Sequence, residues 1–237
     1  MTERLYLTDA YLREFDATVT RVEPGGGVVL DRTAFYPGGG GQPPDRGFLT
    51  DGSRTWEVVR LENRPEEVVH YVAGEPPAEG SRVRGVIDWE LRYRLMRTHT
   101  ALHILCGVIY HEFGATVTGT QMYPDRARMD FTLEDLNPER VRLIELKCNE
   151  AVARALPVEV YFLPRQEALK NLDLIRTRVN LIPEHIKEIR VVDIKGLDLQ
   201  ADGGTHVRNT AEVKGIKVVR TENKGRFNRR LEIVLVD

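Results

Sequence analysis

The first third of the chain alternates apolar and polar positions in short runs. The runs at 17–22, 27–30, 56–61, 67–72 and 82–87 are β-branched or alternating, and each is bounded by glycine or proline. Short strands with this punctuation predict a small all-β barrel or sandwich. The PGGG at 24–27 and the PGGGGQPP at 37–44 cannot lie inside regular elements and read as turns. Near residue 90 the period lengthens. A helix is predicted over 89–113, ending at Gly114, and strands follow at 115–121 and 127–131. The next helix has Asn137 as N-cap, Pro138 at its first position and Glu139 near the positive end of its dipole. Val141, Ile144, Cys148, Ala151, Val152 and Ala155 form its apolar face, and Pro157 ends it. A strand at 158–162, short helices near 165–171 and 183–187, a strand at 190–194 and a glycine turn come next. A hairpin of 216–221 with 230–236, turning at NKGRFN, completes the pattern. Strands and helices do not alternate strictly, so the fold class is α+β with a largely antiparallel sheet. The change of period divides a domain at 1–89 from one at 90–237.

Composition narrows the class. In 237 residues, 41% hydrophobic content is too much for a disordered chain, and the length suits one large domain or two small ones; the formal net charge is −2. The longest weakly polar run, 100–110, is half a membrane span and contains His103. Charges in MTERLYLTDAYLREF occupy the place of a leader's apolar stretch, and two cysteines make no disulfide framework. The expectation is a cytoplasmic protein without a membrane segment.

Candidate chemistry concentrates at three places. In HTALH, His99 and His103 stand four apart in a helical pattern, which puts both imidazoles on one face as two ligands of one metal require. The alternative is one core histidine and one solvated histidine. Asp202 and His206, in DGGTH, offer a second half-site from a tight turn. Three histidines and a carboxylate suit zinc, and the oxygen donor also admits iron, manganese or cobalt. The run Gly38–Gly41 with Gln42 allows close backbone approach to a ligand, but is neither a dinucleotide fingerprint nor a P-loop; a flexible surface turn is its alternative. Between Arg208 and Arg230 eight basic residues face two acidic ones, +6 in a chain of −2, which suits either phosphate contacts or a solvated hairpin. Arg92, Arg94 and Arg97 could extend that surface. Neither a GxSxG elbow nor a nucleophile-type cysteine context is present, so hydrolysis would fall to a metal or a bound water.

Five stretches carry a resemblance: AFYPGGGGQPPDRG at 34–47, MRTHTALHIL at 96–105, ARMDF at 127–131, DGGTHVRNT at 202–210 and NKGRFNRRL at 223–231. Together and in this order they resemble the editing half of alanyl-tRNA synthetases and, more closely, the freestanding AlaX family in its medium-length form. The resemblance implies an N-terminal barrel-like glycine-motif domain and a C-terminal α+β editing domain shared with threonyl-tRNA synthetases. It implies one Zn2+ per chain at His99, His103, Asp202 and His206. The family usually has cysteine where this chain has Asp202, so the fourth ligand is aspartate or gives way to water.

The implied reaction is hydrolysis of the ester between a wrong amino acid and the 3′ end of tRNA(Ala), with serine the leading substrate and glycine second. An alanine pocket cannot strongly reject either, whereas a site that hydrogen-bonds the serine hydroxyl can reject alanine. Thr118, Thr120 or Gln121 would read that hydroxyl, Thr120 first. A metal-bound or metal-positioned water would attack, with no side-chain nucleophile. Gly38, Gly39, Gly40, Gly41 and Gln42 would approach the acceptor end, and Lys217, Arg220, Lys224, Arg226, Arg229 and Arg230 would meet phosphates. No obligate protein partner is implied. The rival readings are a noncatalytic tRNA-binding module with this fold, and a metallohydrolase of free aminoacyl esters or D-aminoacyl-tRNA.

Overall fold

The structure is a computed structural model that describes residues 1–170 and 187–237. It divides into two compact units, Met1–Arg94 and Leu95–Asp237. The first contains β1 (Glu3–Arg4), β2 (Glu14–Glu23), β3 (Gly27–Leu30), β4 (Arg32–Thr33), β5 (Gly47–Thr50), β6 (Thr55–Asn63), β7 (Val68–Val72) and β8 (Arg82–Ile87). Six of these close an antiparallel barrel in the order β2-β3-β7-β6-β5-β8. Closure leaves no unpaired strand edge in the ring. Alternate residues of β2, β6 and β8 point inward, and Phe15, Val19, Leu30, Phe35, Leu49, Trp56 and Val83 fill the interior. The strands expected from alternation are all present. Alternation does not predict β5, because four residues after a glycine–proline tract carry too little pattern, nor the two-residue β1 and β4.

Inside the barrel sits His70, fully buried. A carbonyl only accepts, so Nδ1–H donates to Val28 O at 3.2 Å, and Nε2 then accepts from the Thr33 hydroxyl at 2.8 Å. Thr33 Oγ1 in turn takes the Phe35 N–H at 3.1 Å. Every polar atom of the ring is satisfied in its neutral form, and burial pushes its pKa down to about 4.

The second unit is α+β. Its elements are α1 (Trp89–Phe113), which begins in the first unit, β9 (Val117–Met122), β10 (Ala127–Phe131), α2 (Pro138–Ala153), β11 (Val158–Pro164), α3 (Arg165–Ala168), β12 (Glu188–Ile194), β13 (Asp198–Ala201), β14 (Ile216–Gly225) and β15 (Asn228–Leu235). They form two antiparallel sheets, β14-β15-β10-β9 and β11-β12-β13. No described helix is long and apolar enough to cross a membrane.

Helix α2 starts as its sequence dictates, with the Asn137 side chain accepting the Arg140 N–H at 2.9 Å. Ile144, Cys148, Ala151 and Val152 are buried. Ala155 departs from the expected face: it lies beyond the helix, exposed, at φ 51°. Asn149 clamps α2 to β14 by exchanging two hydrogen bonds with the Ile216 backbone, 2.8 and 3.0 Å. The short helix expected near 165–171 is α3, and most of the one expected near 183–187 lies outside the described residues.

Candidate metal centre

Helix α1 is buried around most of its girth: Leu95, Met96, Ala101, Leu102, Ile104, Leu105 and Ile109 are all at most 1% exposed. His99 and His103 are therefore interior residues, at 4% and 5% exposure. The other half of the site comes from the turn after β13. There the Gly204 N–H donates to Asp202 Oδ2 at 3.0 Å, and His206 folds back beside it. The ligand atoms of His99, His103, Asp202 and His206 all lie within 4.8 Å of one another. Asp202 Oδ2 is 3.0 Å from His206 Nε2 and 3.6 Å from His99 Nε2.

Each imidazole has one nitrogen in this cluster and another held from outside. His206 Nδ1 meets the Thr100 hydroxyl at 3.2 Å, and His99 hydrogen-bonds the Thr205 backbone. His103 Nδ1 lies 2.9 Å from Asp198 Oδ2, which leaves Nε2 for a metal. Outer partners of this kind set ring orientation in metal sites.

Electrostatics prepare the same atoms. Burial lowers the pKa of His99 to about 4, and burial together with the charges of His99 and His103 puts His206 well below the ordinary histidine value. Burial opposes the charge on Asp202 too, but the surrounding histidines outweigh it and hold the carboxyl well below its usual range. For His103 burial also disfavours the cation, yet Asp198 and then Asp202 prevail and raise its pKa. Neutral imidazoles and an ionised carboxylate are the ligating forms. The environment favours them at His99, His206 and Asp202, while at His103 a metal would displace a proton. Three imidazoles and a carboxylate gathered this closely fit a divalent metal such as zinc.

Three supporting residues lay beyond the reach of sequence reasoning. Asp198 has its side chain fully buried. Arg190 donates from Nη1 to Asp202 O at 2.8 Å and accepts the Asp202 N–H on its own carbonyl at 3.1 Å, so β12 fixes the backbone of the fourth ligand. Gly107, one turn beyond His103, lets the β12–β13 turn lie against α1. A Cβ there would stand 2.6 Å from Leu197 O and 3.1 Å from Asp198 Cβ. An aspartate between apolar neighbours and a mid-helix glycine are the only signals, and neither names its partner in a linear reading.

The remaining candidates are spread over the two units. Thr120 pairs across the sheet with Met129, which pairs with Leu231, and both partners are buried. Gln121 pairs with Arg128 and so projects from the opposite face. Thr118, at the irregularity in β9, bonds Asn228 Oδ1 at 2.9 Å. In the first unit Gly38, Gly39, Gly40 and Gly41 all have positive φ (89°, 133°, 57° and 88°), where glycine alone is unstrained. Gly39 and Gln42 exchange backbone hydrogen bonds of 3.1 and 2.8 Å, the Tyr36 hydroxyl donates to Gly39 O at 3.0 Å, and Gln42 is buried. The glycine run is a closed, bonded turn.

The basic hairpin is partly neutralised. Arg230 donates to both oxygens of Asp130 at 2.7 and 2.8 Å, Lys224 pairs with Glu222 at 3.3 Å, and Arg229 bonds backbone carbonyls. Lys217, Arg220 and Arg226 remain exposed.

A six-stranded barrel and an α+β body with a three-histidine, one-carboxylate cluster define a protein of the tRNA-synthetase editing class. Two family models agree: tRNA synthetases class II (A) matches residues 7–91, and Threonyl and Alanyl tRNA synthetase second additional domain matches residues 189–232. Alanyl-tRNA editing protein AlaX-M of Methanosarcina barkeri is 42% identical over the whole of both chains. The AlaX-M of Methanosarcina mazei is 44% identical over all of this chain and 98% of its own. An alanine–tRNA ligase of Pyrobaculum neutrophilum is 41% identical over 93% of this chain but only 25% of its own length. The chain belongs to the AlaX-M family of alanyl-tRNA editing proteins.

Proposed function

We propose that this chain is a trans-editing hydrolase that deacylates mischarged tRNA(Ala) in the cytoplasm, chiefly Ser-tRNA(Ala) and secondly Gly-tRNA(Ala). The observation that carries the reading is the gathering of His99, His103, Asp202 and His206, from segments 99 residues apart, into one buried donor set in a chain of this family. One zinc ion per chain would be held by these four side chains. When bound, it would supply a Lewis acid able to polarise an ester carbonyl and acidify water.

The protein's own groups do the rest. His99 and His206 are held towards the neutral form and Asp202 towards the ionised form, so these three donors are biased to bind, whereas Asp198 favours a proton on His103 that metal must displace. Thr100, the Thr205 backbone and Asp198 hold the three rings. No side chain serves as nucleophile: Cys106 and Cys148 are buried, and burial pushes the Cys148 thiol well above its ordinary pKa. Thr120 is proposed to read the serine hydroxyl, from the covered face of its sheet. Residues 1–89 form the glycine-motif domain, whose Gly38–Gln42 turn offers backbone to tRNA, and 90–237 the editing domain, with Lys217, Arg220 and Arg226 its exposed cations.

The test is release of labelled serine from Ser-tRNA(Ala), beside Gly- and Ala-tRNA(Ala), with chelator and with zinc added back. Serine release that spares alanine, stops with chelator and returns with zinc supports the reading. Metal-loaded protein that binds tRNA and releases nothing would make it a binding module, with Asp202 as the lesion. Thr120→Val should lower serine kcat/KM about tenfold or more, the scale of one lost hydroxyl contact, and leave glycine release unchanged. Unchanged serine kinetics would remove Thr120 from that role.

A further inference from the structure

Strands β14 and β15 close at a tip that the metal cluster does not use. Gly225 pairs with Asn228, so Arg226 and Phe227 are the two turn residues. We propose that Phe227 is a stacking platform for an unpaired base of the bound RNA; this rests on the editing reading and names a contact of its substrate.

Phe227 is 53% exposed, on a turn that is braced from beneath. The Arg229 guanidinium donates to the carbonyls of Gly225, Arg226 and Asn228 within the turn and to Glu134 O outside it. The same guanidinium thus holds the turn shape that presents the ring to solvent. The Arg226 guanidinium lies over the ring, 5.0 Å from its centroid, and Lys224, paired with Glu222 at 3.3 Å, stands on the adjoining strand. An aromatic face with cations beside it is what a single-stranded nucleotide requires, the ring for its base and the cations for its phosphate. The Asn228 side chain then ties this turn to Thr118 of β9, the strand that carries the candidate hydroxyl reader. That link favours RNA over an anionic lipid surface, which would use the same cations and ring without needing β9.

The experiment uses the full chain with wild type, Phe227→Ala and Phe227→Tyr. Their affinities are measured by fluorescence anisotropy for a single-stranded RNA oligonucleotide, for an abasic strand of the same length, and for vesicles of anionic phospholipid. Phe227→Ala should weaken the base-bearing strand about tenfold and leave the abasic strand unchanged, while Phe227→Tyr stays within about twofold of wild type. Equal loss on both strands, no loss on either, or a loss confined to vesicles overturns the proposal. Serine release from Ser-tRNA(Ala) by wild type is followed in parallel. Release with RNA affinity indifferent to Phe227 sinks the stacking role alone. Phe227-dependent RNA binding by a protein that releases no amino acid sinks the editing reading and leaves the stacking role standing.

Discussion

Asp198 shows how much a single side chain can decide at this site. Its carboxylate, 2.9 Å from His103 Nδ1 and buried, outweighs the effect of burial on that ring by hydrogen bonding and charge, with Asp202 adding to it. Asp198→Asn keeps the shape and removes the charge, so zinc affinity should fall about 10- to 100-fold in competition with a chromophoric chelator. An unchanged affinity would mean that His103 is held by packing alone. The residue scale is also where a linear reading is weakest. The pair His99 and His103 was legible because their spacing lies within one helix. Asp198, like Arg190, is an ordinary charged residue until the chain folds back on it. Thr120 and Gln121 are adjacent in sequence, yet the pleat sends them to opposite faces of the sheet.

At the scale of elements, two contacts hold the chemistry-bearing segments in place. Helix α1 and the β12–β13 turn approach across Gly107, where a methyl group would meet backbone at 2.6 Å. At Gly107→Ala the helix-propensity gain of about 1 kcal/mol should be outweighed by an overpacking cost of about 1–3 kcal/mol, read as a lower denaturant midpoint. Weaker zinc binding should accompany it. In the first unit, Asp45 and Arg92 form a fully buried pair, with Arg92 Nε donating to Oδ1 at 2.9 Å and Nη2 to Oδ2. Arg92 also donates to Ala10 O and Ala34 O, and Asp45 accepts the Tyr36 N–H at 2.6 Å. Because Tyr36 and Asp45 flank the glycine turn, the pair anchors both of its ends. Asp45→Ala would strand a buried guanidinium and should cost about 3–5 kcal/mol in chemical denaturation. A loss under about 1 kcal/mol would mean that water reaches Arg92.

For the molecule as a whole, beside the buried His99 and His206 of the cluster, part of the acid sensitivity follows from His70. Its folded pKa of about 4 lies below the ordinary 6.5, so the unfolded chain binds the extra proton more readily. The stability tied to its neutral form is complete above pH 6.5. It is lost progressively as pH falls towards 4, by about 3 kcal/mol in all. His70→Gln, which cannot take up the proton, should show a shallower fall in denaturation midpoint over that window; identical slopes would mean that another group controls it. Charge, too, has to be judged on the folded molecule. The +6 segment of the linear count becomes a hairpin whose Arg230 is spent on Asp130, 100 residues earlier in the chain. Salt dependence of tRNA binding should accordingly reflect fewer contacts than the count of basic residues suggests.

The sequence by itself determined five of the six strand runs of the barrel, the extent of α1, the capped start of α2 and the two metal half-sites. These depend on alternation, capping and helical spacing, all interactions within a few residues of one another. The tertiary structure alone decided that the half-sites meet, that Asp198, Arg190 and Thr100 surround them, and that the glycine run is bonded shut. It likewise decided which cations stay exposed. Burial and pairing across the fold set most of those outcomes: Asp45 joins Arg92 across 47 positions and Thr100 joins His206 across 106, and the closed glycine turn is anchored through that same Asp45. No local pattern records a partner at that distance.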